Sequence, residues 1–403
     1  MTNNWKTIAL DEIAELSKSH WKPGGEEQKY LGLEHINQGE LTINGFGSSS
    51  KLGSNKFYFK KGDVLFGKLR PYFRKVWKAK FNGVCSTDIW VINAKENCDQ
   101  GFLFYFIANP VFAEKSMGAS IGTHMPRADW GFLKNTEWKI PSLPEQQAIA
   151  SVLSSLDDKI DLLREQNKML DDLARDIFKE WFVRFNFPNA DGKMIDSGIG
   201  NLPNGWKVAK LGNEIGTILG GTPNTKKKEY WQNGTIPWIN SGKVNDFRIY
   251  EPTTHITEKA LKESAAKLMP KGTVVIAITG ATLGQVSRLE IDSAGNQSVI
   301  GLLPNKKFSS AYLYYWMMEN VLTIINSATG GAQQHINKND INNFDFVIPD
   351  EDTLKNYFEM ADPIVQKISN NCFQVKTLSS LRDTLLPKLM KGEIRVKEIK
   401  GQN

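Results

Sequence analysis

The chain has 403 residues, of which 40% are hydrophobic and 23% charged, and its formal net charge is +6. These values are typical of a globular protein long enough for two or more domains, and the charge permits an anionic partner without requiring one. The three cysteines (Cys85, Cys98 and Cys372) lack C-x-x-C spacing, and no apolar run is long enough to span a bilayer. The sequence therefore predicts a cytoplasmic protein without a disulfide framework, a zinc site or a membrane partner.

The first 141 residues are rich in glycine, aromatic and β-branched residues in short stretches, which predicts a mixed α/β domain. Within this domain, residues 51–80 contain ten Lys or Arg and a single acid, Asp63, among interleaved aromatic side chains. Such a segment is typical of contact with nucleic-acid phosphates, although a solvated face over buried aromatics gives the same pattern. A glycine-rich polar loop follows at 118–127, and its composition would let a backbone approach DNA closely.

Residues 142–185 are predicted to form a helical spacer. Ser142 and Glu145 match a capping box at its start, with Pro144 in the first turn. Apolar residues then recur at alternating steps of three and four from Leu153 to Trp181, with Asn167 at one seam position. For a lone helix, ordinary core packing would explain this heptad stripe; it also fits pairing with a second helix.

The rest of the chain repeats this plan. Residues 186–205 carry two prolines and several glycines and are predicted to be a linker. Residues 206–349 are predicted to form a second mixed α/β domain, with a glycine-rich loop at 329–338. Residues 350–395 are predicted to be a second helical spacer, in which Pro363 divides a short helix beginning near Asp350 from a longer one.

A tandem duplication is indicated by short matches that share an offset of 201 to 210 residues. Trp5-Lys6 returns as Trp206-Lys207, Lys61-Gly62 as Lys271-Gly272, and Ile140-Pro141 as Ile348-Pro349. No single match is informative, but their constant order predicts two copies of one module.

The duplication produces two similar helices, and the apolar heptad stripe (seam) of each one needs a partner. We expect them to pack as an antiparallel coiled coil related by pseudo-twofold symmetry, so that the fold has two similar α/β recognition domains separated by two long helices. Such a pair would hold the domains at a fixed distance. Two DNA sites one helical turn apart are separated by about 34–36 Å, and helices of this length can bridge that distance. The predicted interface consists of Leu156, Ile160, Leu163, Asn167, Leu170 and Ile177 with Ile364, Ile368, Asn371, Val375, Leu378 and Leu385.

Candidate DNA-contacting side chains are basic, amide, hydroxyl or aromatic residues in the predicted loops. Arginine and lysine suit phosphates and guanine, and glutamine suits adenine. The candidates are Lys68, Arg70, Tyr72, Arg74, Lys75, Thr123, His124, Arg127, Thr222, Lys226, Lys227, Thr279, Gln333, Gln334, His335 and Lys338.

No catalytic motif emerges from the sequence. It contains neither a P-loop nor a dinucleotide-binding fingerprint, and its five histidines are scattered. Asn109-Pro110-Val111-Phe112 lacks the second proline of the Asn/Asp-Pro-Pro-aromatic motif that adenine methyltransferases use. The sequence thus predicts a chain without catalytic residues, bound metal or bound cofactor.

These segments resemble the specificity subunits of type I restriction–modification enzymes over almost the whole chain. Gly220-Gly221-Thr222-Pro223, Tyr230-Trp231 and Ile236-Pro237-Trp238 are similar to the opening of that family's target recognition domain. Residues 271–284 and 296–298 are similar to its middle, and residues 140–147 and 381–389 to its helical spacers. In the first domain, residues 66–71 depart from the family's Thr-Gly-Ala pattern, so its base contacts are the least transferable.

The resemblance implies that each recognition domain reads one half of a bipartite site on double-stranded DNA. The helices would set the gap and dock two modification (methyltransferase) subunits, and restriction (translocase and nuclease) subunits would join them. S-adenosylmethionine, Mg²⁺ and ATP would be bound by those partners. Two alternatives remain open: a structural coiled-coil adaptor whose end domains bind proteins, and an enzyme with an unrecognised site.

Overall fold

The computed structural model describes residues 5–17, 19–118, 126–328 and 335–396. The chain divides into two compact units, Met1–Asp161 with Thr377–Asn403, and Leu162–Lys376. Each unit contains one globular head, residues 5–141 in the first and 206–349 in the second, together with parts of two long helices. None of the described helices combines the length and apolar character needed to cross a membrane.

The first head is built from short strands and three helices. In chain order they are β1 (Lys6–Ala9), β2 (Ala14–Leu16), β3 (His20–Trp21), β4 (Lys29–Leu31), β5 (Gly47–Ser48), β6 (Lys56–Phe59), β7 (Val64–Gly67), β8 (Val76–Lys78), β9 (Gly83–Cys85), β10 (Ile89–Ala94), α1 (Gln100–Ala108), α2 (Pro110–Met117), α3 (Trp130–Leu133) and β11 (Glu137–Ile140). The strands form three sheets, ordered β1-β11, β2-β10-β7-β8 and β3-β6-β9-β4-β5. The long helix α4 (Leu143–Phe182) follows directly.

The segment between α4 and the second head contains a two-stranded antiparallel hairpin, β12 (Met194–Asp196) and β13 (Asn201–Pro203). The linker prediction for residues 186–205 did not include this hairpin. Phe187 stacks on Trp206 with ring centroids 5.3 Å apart, so the segment is packed against the start of the second head.

The second head has the same kinds of elements, followed by a second long helix. They are β14 (Lys207–Lys210), α5 (Leu211–Glu214), β15 (Thr217–Leu219), β16 (Ile236–Ile239), β17 (Thr254–Ile256), α6 (Glu258–Glu263), β18 (Leu268–Met269), β19 (Val274–Ala277), β20 (Val286–Arg288), β21 (Ser293–Gly295), β22 (Val299–Leu302), α7 (Ser310–Ala328), α8 (Lys338–Asn342), β23 (Asp345–Ile348) and α9 (Glu351–Met390). The sheets are ordered β14-β23, β15-β22-β19-β20 and β17-β16-β21-β18.

Strand registers confirm the predicted duplication. Lys6 pairs with Ile140 in the first head, and Lys207 pairs with Ile348 in the second. Tyr58 lies opposite Val84 in one head, while Leu268 lies opposite Ala294 in the other, again at matching positions. The described part of the second head has no counterpart of β3, so its third sheet has four strands where the first head has five.

The repeated Trp-Lys pair has a structural role at the start of each long helix. Trp5 Nε1 donates to Glu145 Oε2 at 3.2 Å, and Trp206 Nε1 donates to Asp350 Oδ2 at 3.0 Å. Helix α4 begins directly after Ser142, as predicted, but the capping box was wrong. Glu145 accepts from Trp5 and Arg395 instead of returning to the Ser142 backbone.

The predicted division of the second spacer at Pro363 was also wrong, because α9 runs without interruption from Glu351 to Met390. A proline in a helix interior removes one backbone hydrogen bond and normally kinks or breaks the helix. Here Ala361 and Val365, on either side of the proline, are both buried in the core of the second unit. This packing holds the helical backbone through a residue that disfavours it locally.

In the second unit the two long helices pack against each other in antiparallel fashion. Asn167 and Asn371 are both buried, and Asn371 Nδ2 donates to Asn167 Oδ1 at 2.8 Å. Further along α4, Phe178 contacts Tyr357, which lies earlier in α9, with ring centroids 6.0 Å apart. A later residue of α4 thus contacts an earlier residue of α9, so the two helices run in opposite directions.

The first unit shows the same orientation of the helix pair. Arg382 Nη1 donates to Asp157 Oδ1 at 2.7 Å, and Arg395 of the segment after α9 pairs with Glu145 at the start of α4. Ile149 and Leu153 share a core cluster with Leu386, Leu389 and the first head. The antiparallel pairing predicted from the heptad stripes is thus found within each unit.

The predicted interface residues differ in burial. Six are buried: Ile160, Leu163, Asn167, Ile368, Asn371 and Val375. Six are half-buried: Leu156, Leu170, Ile177, Ile364, Leu378 and Leu385. The stripe also contributes to the second head, since its Ala174 and Trp181, together with the neighbouring Phe178, belong to the core cluster of that head.

Candidate nucleic-acid interface

A junction of three loops forms in the first head. Lys68 N–H donates to Asp88 O at 2.9 Å, and Ala128 N–H donates to Lys68 O at 2.9 Å. The turn after β7, residues 86–88 (the first junction loop) and the segment at 126–128 therefore meet at one point. The loop residues 119–125 lie immediately before this last segment, so the predicted contacts Thr123 and His124 lie outside the described residues.

Basic side chains surround this first junction. Arg127 is 58% exposed and pairs with Asp88 at 3.4 Å. Arg70 is exposed, Lys68 is half-buried, and Tyr72 is 48% exposed. This arrangement presents three cations beside an exposed aromatic ring, with one carboxylate as partner.

The turn that carries these residues has an unusual backbone. Arg70 and Arg74 have φ of +52° and +46°, in the left-handed region that non-glycine residues rarely occupy. Hydrogen bonds from Phe73 N–H to Arg70 O and from Arg74 N–H to Pro71 O hold the turn, and Pro71 is buried beneath it. Backbone strain that the surroundings maintain is frequent at binding sites.

Other parts of the basic segment serve the fold. Lys75 Nζ donates to Leu33 O at 2.6 Å, and the guanidinium of Arg74 lies against Gly39. Lys56 is buried and donates to Ser54 Oγ at 2.6 Å, while Lys80 pairs with Asp161. Phe59, Phe66 and Trp77 are buried. The structure thus separates a basic turn at 68–74 from an ordinary face over buried aromatics elsewhere in the segment.

An equivalent junction forms in the second head. Ile278 N–H donates to Ser298 O at 3.0 Å, and Ile336 N–H donates to Ile278 O at 3.2 Å. Residues 296–298 form the second junction loop. Residues 329–334, which include the predicted contacts Gln333 and Gln334, lie outside the described residues.

The Gly220-Gly221 pair is required by a close backbone approach at this junction. Gly221 N–H donates to Gly295 O at 2.8 Å. A Cβ added to Gly220 would lie 2.2 Å from Asn296 O, and one added to Gly221 would lie 2.5 Å from the Ala265 carbonyl carbon. Since both obstacles are backbone atoms, a larger residue at Gly220 would require the junction loop to move, and one at Gly221 would require the backbone at Ala265 to move.

Uncharged polar side chains line the second junction. Thr222 Oγ1 donates to Gln297 Oε1 at 2.5 Å, and both residues are exposed. Thr279 Oγ1 donates to Ser298 Oγ at 2.7 Å. Gln297 is not among the predicted contacts, although Asn296-Gln297-Ser298 resembles part of the middle of the family's target recognition domain. With its carboxamide oxygen bound to Thr222, the Gln297 amide presents N–H donors to solvent.

The remaining candidates of the second head lie in neighbouring segments. Lys226 is exposed, whereas Lys227 Nζ donates to Tyr230 Oη at 3.0 Å, and this hydrogen bond raises the pKa of the lysine. His335 is exposed and Lys338 begins α8. Asn337 caps that helix, because its Oδ1 accepts from Asn339 N–H at 2.8 Å. The chain that follows residues 329–334 is therefore anchored firmly.

The part of the chain that the structure describes contains no candidate metal site. No group of three or more His, Cys, Asp or Glu side chains there is placed to hold a metal ion. Cys85, Cys98 and Cys372 are free and buried, and burial raises the pKa of Cys85 and Cys98 to about 12.

Comparison with known proteins identifies similar chains. The family described as "Type I restriction modification DNA specificity domain" matches residues 2–171 and again residues 203–371. The chain is 30% identical over 312 residues to the type I restriction enzyme MjaIX specificity subunit of Methanocaldococcus jannaschii, covering 76% of this chain and 71% of that protein. It is 23% identical over 464 residues to the HindI specificity subunit of Haemophilus influenzae, covering 97% and 100% of the two chains.

The fold is similar to the crystal structure of the S subunit of a type I restriction–modification system from M. genitalium. The TM-score is 0.57 with 17% sequence identity, and the match covers 96% of both chains. The likeness is one of fold, and it includes both heads and both long helices.

Proposed function

Since the chain belongs to the type I restriction–modification DNA specificity family, we propose that it selects the DNA sequence on which such an enzyme acts. Each head reads one half of a bipartite site. The chain itself carries out no chemistry and binds no cofactor. S-adenosylmethionine, Mg²⁺ and ATP are bound by the modification and restriction subunits that assemble with it.

The observation that carries this proposal is the repeated loop junction. In each head, the backbone of the turn after β7 or β19 joins a junction loop and the segment that follows residues 119–125 or 329–334, through equivalent hydrogen bonds. Two copies of one loop platform in a single chain suit a target with two halves. Loops held by a rigid sheet are also where proteins commonly place binding residues.

The two junctions suit different kinds of contact. Lys68, Arg70 and Arg127 make the first one cationic, which favours contact with phosphates and guanine. Thr222 and Gln297 make the second one neutral, which favours hydrogen bonds to base edges. Different chemistry at the two heads supports an asymmetric target, whose two halves have different sequences.

The helix pair supports a role in setting the gap between half-sites. Both α4 and α9 contain residues of both units, and their antiparallel pairing is fixed within each unit by buried polar contacts. A continuous helix rises 1.5 Å per residue, so its length is set by its residue count. We assign the docking of two modification subunits to the same helices.

A genome-wide map of methylated adenines tests the proposed function. Cells carrying the complete system should show one bipartite methylated motif that disappears when the gene for this chain is deleted and returns when it is restored. Exchanging the second head for that of a relative should change one half of the motif and leave the other half unchanged. A motif that persists without this chain would reject the proposal.

A further inference from the structure

A buried charge cluster joins the second head to both long helices. It consists of Asp171 on α4, Ser369 on α9, and Arg248, Arg288 and Glu290 of the head. The side chain of Arg248 has 0% exposure, and its Nη2 donates to Asp171 Oδ1 at 3.0 Å. Its guanidinium lies 4.2 Å from the ring centroids of both Phe247 and Tyr314.

The second arginine of the cluster makes the corresponding contact with α9. Arg288 is 7% exposed; its Nη1 pairs with the fully buried side chain of Glu290 and donates to Ser369 Oγ at 3.1 Å. Its Nε donates to Ser310 Oγ at 2.6 Å at the start of α7. Backbone hydrogen bonds from Ile249 to Arg288 and from Glu290 to Ile249 connect the two arginine segments.

A tyrosine adds a second contact to the carboxylate of Asp171. Tyr315 of α7 donates its hydroxyl to Asp171 Oδ1 at 3.0 Å. The first head contains a similar contact, because Tyr105 of α1 donates to Asp157 Oδ2 at 2.6 Å and Arg382 pairs with that aspartate. Each head therefore has a helix tyrosine bonded to an aspartate of α4 that also binds a buried arginine.

Buried ion pairs are poor sources of net stability, and in some proteins buried polar groups instead fix one register. Taking two charges out of water offsets most of their attraction, so an apolar replacement often stabilises a protein equally well. A shift of the apolar contacts costs packing, and a buried guanidinium displaced from its carboxylate is in addition left uncompensated. The cluster consequently penalises any shift of the second head along α4 or α9.

We propose that Arg248, through its buried pair with Asp171, is a positioning residue that fixes the register of the second head on the helix pair and thereby restricts the enzyme to one gap length between half-sites. The inference rests on the proposed function. Under this proposal, the choice of one gap length between half-sites depends on how the head is attached to the helices as well as on the length of the helices. The half-site sequence read by the head is not affected by these residues.

The test replaces the charges while keeping the fold. In the complete complex, the double variant Asp171→Leu/Arg248→Met removes both partners, because the loss of one alone would leave a buried charge and destabilise the chain. The matched control is Glu251→Gln, which breaks an exposed pair with Lys376 (3.2 Å) that also joins the head to α9. Exposed pairs of this kind contribute little.

The readout is the distribution of gap lengths among methylated sites in cells that carry each variant. We expect one gap length for the wild type and Glu251→Gln. For the double variant we expect methylation at gaps one base pair longer or shorter to rise about tenfold, with both half-sites unchanged.

Two results would overturn the inference: a double variant that keeps the single wild-type gap, and a uniform loss of methylation at every site without new gap lengths, which would indicate a structural role only. A wild-type map without any bipartite motif would instead reject the proposed function, and this inference with it.

Discussion

At the scale of single residues, the amide pair in the helix seam shows how polar groups specify one alignment. Asn371 is fully buried and donates to Asn167 Oδ1 at 2.8 Å and to Gln166 Oε1 at 2.9 Å. Its own Oδ1 is buried without a hydrogen-bond partner among the described residues. An unsatisfied buried acceptor costs stability, so this pair favours specificity over stability.

A pair of variants separates these two effects. Asn167→Leu alone removes one acceptor of the buried Asn371 amide and should lower the free energy of unfolding by about 1–3 kcal/mol. Asn167→Leu with Asn371→Leu removes both polar groups and should recover that loss or exceed the wild type. Denaturant unfolding measures both, with exposed Gln374→Leu as the control. A double variant less stable than Asn167→Leu would contradict this account.

At the scale of elements, the start of α9 depends on one carboxylate. Asp350 accepts from Thr353 N–H at 2.9 Å, from Thr353 Oγ1 at 2.7 Å and from Trp206 Nε1 at 3.0 Å. Partial burial alone would raise the pKa of Asp350, but these hydrogen bonds outweigh it and hold the pKa below its usual value. Folding therefore favours the ionised form.

The pH dependence follows from that direction. A carboxyl whose pKa is lowered by folding contributes stability above its ordinary pKa and loses it as the pH falls through the folded value. Asp350→Ala should cost about 1 kcal/mol at neutral pH, and the difference from wild type should shrink in acid. Asp350→Asn keeps a capping oxygen without the charge, so its smaller loss identifies the ionic part. Thermal unfolding between neutral and acid pH measures this, and a constant difference would refute it.

Pro363 gives a second prediction for α9. Its ring is exposed, so it contributes little packing, yet it removes a backbone donor from the helix interior. Pro363→Ala should raise the free energy of unfolding by roughly 1–3 kcal/mol. Exposed Glu359→Ala one turn earlier is the control and should change stability much less. A destabilised Pro363→Ala protein would show that the ring shapes α9 for its partners.

The same elements show what the sequence could and could not reveal. The heptad stripes predicted both helices and their pairing, because helical periodicity is local and extends over many residues. The break at Pro363 was wrong because burial of Ala361 and Val365 overrides a local preference. The loop junctions could not be derived, since they depend on strand pairs such as Tyr58–Val84 that join residues distant in sequence. Gln297 was missed for that reason, as its position beside Thr222 exists only after folding.

At the scale of the whole molecule, the net charge of +6 is modest, so phosphate contact must depend on local clusters. The cationic junction of the first head is the clearest of these among the described residues, with exposed Arg70 and Arg127 beside half-buried Lys68. Each phosphate contact releases condensed counterions, which makes binding depend on salt. The contribution of this junction can therefore be measured without knowledge of the target sequence.

Removing single charges from the first junction should lower affinity for all duplexes alike. Arg70→Ala in the assembled complex should reduce the slope of log K against log salt by about one, and a Lys68→Ala/Arg70→Ala variant by about two. Exposed Lys355→Ala on α9 is the matched control for loss of one positive charge. Equilibrium titrations at several salt concentrations, with specific and random duplexes, give the slopes. If Arg70→Ala left the slope unchanged but altered the preference for one base, Arg70 would be a base-reading residue and the phosphate assignment would be wrong.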